Sequence, residues 1–153
     1  MVTIKDSVLI VDDDEMILES LETILNDEGY LTQTAKTGKE ALTKTDNEFF
    51  NAILIDIRLP DMTGLELLSQ IKDTTPKMKK LILTGYPDTP TAIDAVNQKA
   101  DAYLVKPFDP EELLKLISEN IKSQKEELKY TQDKVLDYIK SRVKQLDEEK
   151  DIE

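Results

Sequence analysis

The sequence predicts an α/β fold: a doubly wound, five-stranded parallel sheet with an extended C-terminal helix. Three observations predict it. Short apolar runs alternate five times with stretches whose apolar residues recur at helical spacing. The runs Val8–Val11 and Ala52–Ile55 are apolar throughout, as in strands covered on both faces. After the fifth unit, residues 109–153 hold no Gly and only Pro110, and read as one polar, charged helix.

Val8–Val11 is the first predicted strand. Ile17, Leu21, Ile24 and Leu25 then mark a helix, with Asp14 as N-cap and Gly29 as stop. Tyr30–Ala35 is the second strand; Thr32, Gln33 and Thr34 make it the most polar and place it at a sheet edge. Thr37-Gly38-Lys39-Glu40 has the form of a capping box that opens a helix through Ala41 and Leu42. Ala52–Asp56 is the third strand, followed by the Pro60 turn. Thr63-Gly64-Leu65-Glu66 repeats the capping box, with Leu65, Leu68 and Ile71 as the apolar face. Leu81–Thr84 is the fourth strand. Thr89-Pro90 starts the fourth helix, with Pro at its first position and Ile93 and Val96 expected to face inward. Ala102–Val105 is the fifth strand, and Asp109-Pro110-Glu111-Glu112 caps the last helix.

Composition narrows the chemistry. The 153 residues suit one ordinary domain plus an extension. A net charge of -12 argues against nucleic-acid and anionic-membrane surfaces. With no Cys and no His, thiolate and imidazole chemistry are excluded. No apolar run approaches the ~20 residues of a membrane span. The N-terminus lacks a signal-peptide core, so a cytoplasmic location is the expectation.

In doubly wound sheets, ligands bind at the carboxyl ends of the strands, where strand order reverses. Asp12, Asp13, Asp56, Thr84 and Lys106 all fall at such ends. One Asp at a strand end usually caps a turn. Five polar residues on one rim are a stronger signal. Clustered carboxylates need a cation or a raised pKa. Without His or Cys, the cluster suits a hard, oxygen-seeking ion, and Mg²⁺ fits best. An EF-hand is excluded, because Asp12-Asp13-Asp14-Glu15 lacks its Gly and spaced ligands. Lys106 is placed to pair with Asp56 and to neutralise a phosphoryl group. Thr84 offers a hydroxyl beside the Gly85 amide. A carboxylate nucleophile is already ionised, so phosphoryl transfer to it needs mainly positioning and charge neutralisation.

The same residues carry a family resemblance. Val11-Asp12-Asp13, Asp56-Ile57-Arg58-Leu59-Pro60-Asp61-Met62-Thr63-Gly64, Leu83-Thr84-Gly85 and Tyr103-Leu104-Val105-Lys106-Pro107-Phe108 occur in order through about Ile121. The chain closely resembles the receiver domain of two-component response regulators. That resemblance implies a flavodoxin-like sheet of order 2-1-3-4-5. It implies Asp56 as phosphoacceptor, Mg²⁺ on Asp12, Asp13, Asp56 and the Arg58 backbone carbonyl, and phosphoryl oxygens bound by Thr84 and Lys106. Tyr103 is then the aromatic that rotates on activation, and the Lys106–Pro107 bond is expected to be cis. Arg58 and Tyr86 occupy positions that vary in the family and tune rates. The partner implied is a histidine kinase or phosphotransfer protein.

Two other functions compete with this reading. A haloacid-dehalogenase-like phosphatase would use Asp12 as nucleophile, but no Thr or Val follows the Asp-x-Asp and no second acidic pair follows Lys106. A receiver-shaped module that is never phosphorylated would not need the acceptor, acid pair, Thr and Lys that are all present. The domain boundary is expected at residue 121, with 122–153 an amphipathic helical extension. Leu114, Ile121, Leu128 and Val135 recur every seven residues, interrupted in the companion row by Gln124 and Thr131. A homodimeric coiled coil through this helix is expected over a purely solvated one, since a long helix is marginal without packing. No DNA-binding module is encoded in the chain. It reads equally as a whole small regulator or as the first part of a longer one.

Overall fold

The computed structural model describes residues 5–85 and 87–152, without the side chains of the last two. Five strands form one sheet: β1 (Ser7–Val11), β2 (Leu31–Ala35), β3 (Ala52–Asp56), β4 (Lys79–Thr84) and β5 (Ala102–Val105). Their order is β2-β1-β3-β4-β5, and every pairing is parallel. Helices α1 (Glu15–Asp27), α2 (Gly38–Asn47), α3 (Gly64–Gln70), α4 (Thr89–Asn97) and α5 (Pro110–Ile152) connect and extend them.

Strand side chains alternate between two cores, so both faces need apolar residues. Val8, Ile10, Leu54, Leu81 and Leu83 pack on Leu18, Leu21 and Leu25 of α1 and on Leu113, Ile117 and Ile121 of α5. Leu9, Val11, Ile53, Ile55 and Ile82 pack on Ala41 of α2, Leu67 and Leu68 of α3, and Ala95 of α4. The polar strand β2 lies at an edge, as its composition predicts. Strand order reverses between β1 and β3, which puts their carboxyl ends side by side.

Local signals mostly hold. Asp14 caps α1 by accepting from the Met16 and Ile17 amides, and Gly29 leaves that helix at φ +97°. Thr63 and Glu66 form a full reciprocal capping box. At Thr37 only half of the box forms. Thr37 accepts from Glu40 N, but the Glu40 carboxylate turns to the Lys36 amide at 3.0 Å. Asp88, one residue earlier than expected, caps α4, so Pro90 is the second helical residue. That position also has no intrahelical N–H partner, which is why Pro is accepted there. The Lys106–Pro107 bond is cis, and so is Thr75–Pro76.

Two expectations about packing fail. Ile93 and Val96 do not face inward; they are 54% and 72% exposed, and the small Ala95 is the residue fully buried from α4. Nor is the row Leu114, Ile121, Leu128 and Val135 one free face. Ile121 is in the core, Leu114 and Leu128 are half-buried, and Val135 is exposed. A straight helix drifts about 20° per heptad, so a seven-residue row does not stay on one side. The docked stripe is Leu113, Ile117, Ile121 and Gln124. Gln124 is 1% exposed. Its Nε2 donates to the carbonyls of Asn51 (3.0 Å) and Lys77 (2.8 Å), and its Oε1 accepts from Asn51 Nδ2 (3.0 Å). Lys125 pairs with Asp6 at 3.0 Å and Glu127 with Lys79 at 2.9 Å. These contacts hold the helix against the amino ends of the strands beyond Ile121.

Candidate functional site

The sheet delivers five side chains to one rim. Asp56 ends β3 and Thr84 ends β4, while Asp12 and Lys106 each follow the last residue of β1 and β5. Backbone bonds set the flanking residues. Asp12 N donates to Ala35 O at 3.1 Å, and Lys106 N donates to Thr84 O at 2.7 Å. Carboxylate oxygens of Asp12, Asp13 and Asp56 lie within 4.8 Å of one another. Asp12 is buried, Asp56 half-buried and Asp13 exposed.

Lys106 Nζ is 2.9 Å from Asp12 Oδ2 and 3.7 Å from Asp56 Oδ1. The sequence places this lysine to pair with Asp56; its closer partner is Asp12. The other Asp12 oxygen accepts the Asp14 amide at 2.9 Å. A buried carboxylate needs such partners, because an unpaired one is costly. Asp56 is held less tightly. Burial raises its pKa most; the Lys106 ammonium lowers it, Asp12 raises it, the Arg58 amide lowers it and Asp13 raises it, with a net upward direction.

The loop after β3 is braced from three sides. Gly64 N donates to Ile57 O at 2.7 Å, and a Cβ on Gly64 would lie 2.4 Å from the Asp56 carbonyl oxygen, so only Gly fits. Arg58 bridges to Thr63 across the loop. The Asp61 carboxylate accepts the Gly38 and Lys39 amides, both at 2.9 Å, at the start of α2. Those bonds and the helix dipole favour the ionised form, and its pKa is lowered. In the sequence Asp61 stands only as part of a motif. Its cap is 22 residues or more away in sequence, and no local pattern reports that contact.

Thr84 is buried beside this cluster, and Gly85 next to it is open to solvent. Tyr103 packs half-buried against the α4-side core. Burial and the Asp88 charge raise its pKa. It lines an apolar cleft with Pro87, Asp88, Ala92, Ile93 and Val96, which accounts for part of the exposed face of α4. Asp14 is a cap and not a member of the cluster. The Arg58 side chain is exposed, and Tyr86 lies outside the described residues.

The donor set fits a hard divalent ion. Among the described residues, Asp12, Asp13 and Asp56 bring carboxylate oxygens together with Lys106 beside two of them, and an exposed Asp13 leaves the group open to solvent. Among the described residues no helix is long and apolar enough to cross a membrane.

Residues 8–118 match the response regulator receiver domain family. The DNA-binding transcriptional regulator NtrC of Proteus hauseri is 38% identical over 123 residues, 80% of this chain and 26% of that protein. The transcriptional regulatory protein ZraR of Klebsiella oxytoca is 38% identical over 112 residues, 73% of this chain and 25% of that protein. The chain spans about a quarter of the length of these relatives. A solved CheY-like receiver domain protein from Methanospirillum hungatei JF-1 superposes with a TM-score of 0.78 at 45% identity, covering 81% of this chain and 99% of that one. A solved response regulator from Burkholderia pseudomallei carries a phosphorylated aspartic acid and a calcium ion. It superposes with a TM-score of 0.70 at 33% identity, over 80% of this chain and 72% of that one. None of these relatives supports the phosphatase alternative.

Proposed function

This chain belongs to the response regulator receiver family, and from that premise we propose that it is switched by transfer of a phosphoryl group onto Asp56. The observation that carries the assignment is the place of Asp56: the end of a central strand, half-buried, 3.7 Å from Lys106 and in the acidic cluster. The donor is a histidine kinase or a phosphotransfer protein. An Asp56 oxygen attacks phosphorus, and an O–P bond forms. The bond from phosphorus to the donor breaks, and its electron pair leaves with the donor group. The acceptor needs no base, since it reacts as the carboxylate.

Lys106 is within reach of the new phosphoryl oxygens and offsets their charge. The Thr84 hydroxyl donates to another of them. Asp12, Asp13, Asp56 and the Arg58 carbonyl would hold Mg²⁺, which when bound supplies neutralisation of the transferred group's charge. The phosphorylated aspartate and the calcium ion of the Burkholderia relative support this reading. Thr84 and Tyr103 form the switch: a shift of Thr84 toward the phosphoryl group frees space into which the Tyr103 ring moves. The same groups catalyse the chain's own phosphorylation by small donors and its dephosphorylation, and the Arg58 side chain shields the bond from water.

The receiver unit is taken as residues 1–121, followed by an extension of α5 whose first turn, through Gln124 and Glu127, stays docked on the unit. A second copy of the chain is the partner for that helix. The strongly acidic composition supports a chain that makes no nucleic-acid contact of its own.

Incubation with Mg²⁺ and acetyl phosphate should add one phosphoryl group by mass, and beryllofluoride should bind in its place. Asp56→Asn should abolish both. Labelling that persists in this variant would overturn the assignment.

A further inference from the structure

The proximal face of α5 is occupied. Leu113, Ile117, Ile121 and Gln124 are buried against the sheet, and Glu127 is held by Lys79. Residues 129 to 150 are all exposed. That stretch is about 33 Å of unsupported helix at ~1.5 Å per residue. Most helical stability in proteins comes from packing an apolar face, and among the described residues this stretch buries no face against its own chain. It nevertheless carries Val135, Leu136, Ile139, Val143 and Leu146, each 42 to 53% exposed.

Four of these residues have the spacing of a coiled-coil seam. Leu136, Ile139, Val143 and Leu146 follow one another at intervals of three, four and three, the a-d-a-d pattern. Val143 at a with Leu146 at d favours two strands, whereas Leu136 at a with Ile139 at d favours a larger bundle, so the apolar seam alone does not set the number of chains. The flanking positions then decide direction. In this register Val135 and Arg142 are g residues, while Lys140 and Asp147 are e residues. A parallel pair sets each g residue against the e residue five further along the other chain. Arg142 then meets Asp147 of the second copy, twice by symmetry, and Val135 lies on the alkyl stem of Lys140. An antiparallel pair about the same centre sets g against g and e against e. Arg142 would face Arg142, and Lys140 would face Lys140.

We propose that the distal half of α5 pairs in parallel with a second copy through Leu136, Ile139, Val143 and Leu146, with Arg142 and Asp147 setting direction and register. This rests on the reading that a second copy is the helix partner. It moves the seam away from Leu114, Ile121 and Leu128, because Ile121 is committed to the receiver core. Two heptads make a short seam, so association depends on concentration. Joined this way, two receivers lie side by side with their phosphoacceptors facing the same end of the assembly.

The test is sedimentation equilibrium of the full chain over a range of concentrations. The native chain should pass from monomer to dimer. Arg142→Asp or Asp147→Arg turns two attractions into two repulsions and should weaken the dimer roughly tenfold. The double variant Arg142→Asp with Asp147→Arg should return it close to the native constant. Ile139→Asp should leave a monomer. A double variant no better than the single ones would overturn the parallel register. A dimer indifferent to all of these changes would overturn the seam but keep the second copy as partner. A native chain that stays monomeric at every concentration would overturn both.

Discussion

Replacing Asp56 with Asn should stabilise the metal-free protein at neutral pH, although it abolishes phosphoryl uptake. At an effective dielectric of about 20, Lys106 at 3.7 Å attracts the Asp56 carboxylate by about 4.5 kcal/mol. Asp12, no more than 4.8 Å away, repels it by about 3.5 kcal/mol or slightly more. Asp13 also repels it, but that residue is exposed and solvent screens its share. The charges come close to cancelling, so burial decides. The Asp56 side chain is only 15% exposed, and desolvating a carboxylate costs up to several kcal/mol. An amide of the same shape avoids that cost, so a gain on the order of 2 kcal/mol is expected.

The sign follows from linkage. The folded pKa of Asp56 lies above 3.8, so the native state binds this proton more tightly than the unfolded chain. Its contribution therefore falls as pH rises from about 3.8 through the folded pKa, and stays low above it. Asn has no such proton. Thermal unfolding in a chelator, from about pH 4 to pH 8, should show the variant's advantage shrinking toward acid. At neutral pH the midpoint should rise by about 4–8 °C. Added Mg²⁺ should stabilise the native chain more than the variant, by mass action. A variant no more stable than the native chain in chelator at neutral pH would refute the reasoning. So would an advantage that does not change with pH.

The remaining predictions concern the metal cluster and the root of α5. Asp13→Ala should weaken Mg²⁺ binding about tenfold or more in a calorimetric titration, whereas Asp14→Ala should cost only about 1 kcal/mol of helix capping; equal losses of affinity would contradict this division. Gln124→Ala should lower stability in chemical denaturation by about 2–4 kcal/mol, because it strips three hydrogen bonds from a buried site. A loss below about 0.5 kcal/mol would mean that water replaces the amide at no expense.

Much of the fold was legible because its signals are local. A strand buried on both faces has to be apolar, and Val8–Val11 and Ala52–Ile55 are. Asp14 and the Thr63–Glu66 pair cap their helices as their spacing predicts. Where a second residue competed, the local rule slipped. Glu40 chose the Lys36 amide over that of Thr37, and Asp88 took the cap expected of Thr89. The rotation of α4 had no local signal at all. Ile93, Val96 and Ala95 share one short helix, and only the packed core, where Ala95 lies with Ile82 and Tyr103, shows which of them turns inward.

The sequence by itself determined which residues reach the rim. Each of Asp12, Asp56, Thr84 and Lys106 sits at the end of its own strand run, and strand ends are written in hydrophobic pattern and turn chemistry. Tertiary structure decided which of them meet and at what distance. Lys106 arrives from β5, on the side of β3 rather than β1, yet its long side chain extends past Asp56 at 3.7 Å to meet Asp12 at 2.9 Å. Asp61 clasps the start of α2, and Gln124 enters the floor of the sheet to bond Asn51 and Lys77. In sequence, Gln124 was a polar break in a seam. Its buried amide became an anchor because only the packed strand ends supply the carbonyls that satisfy it.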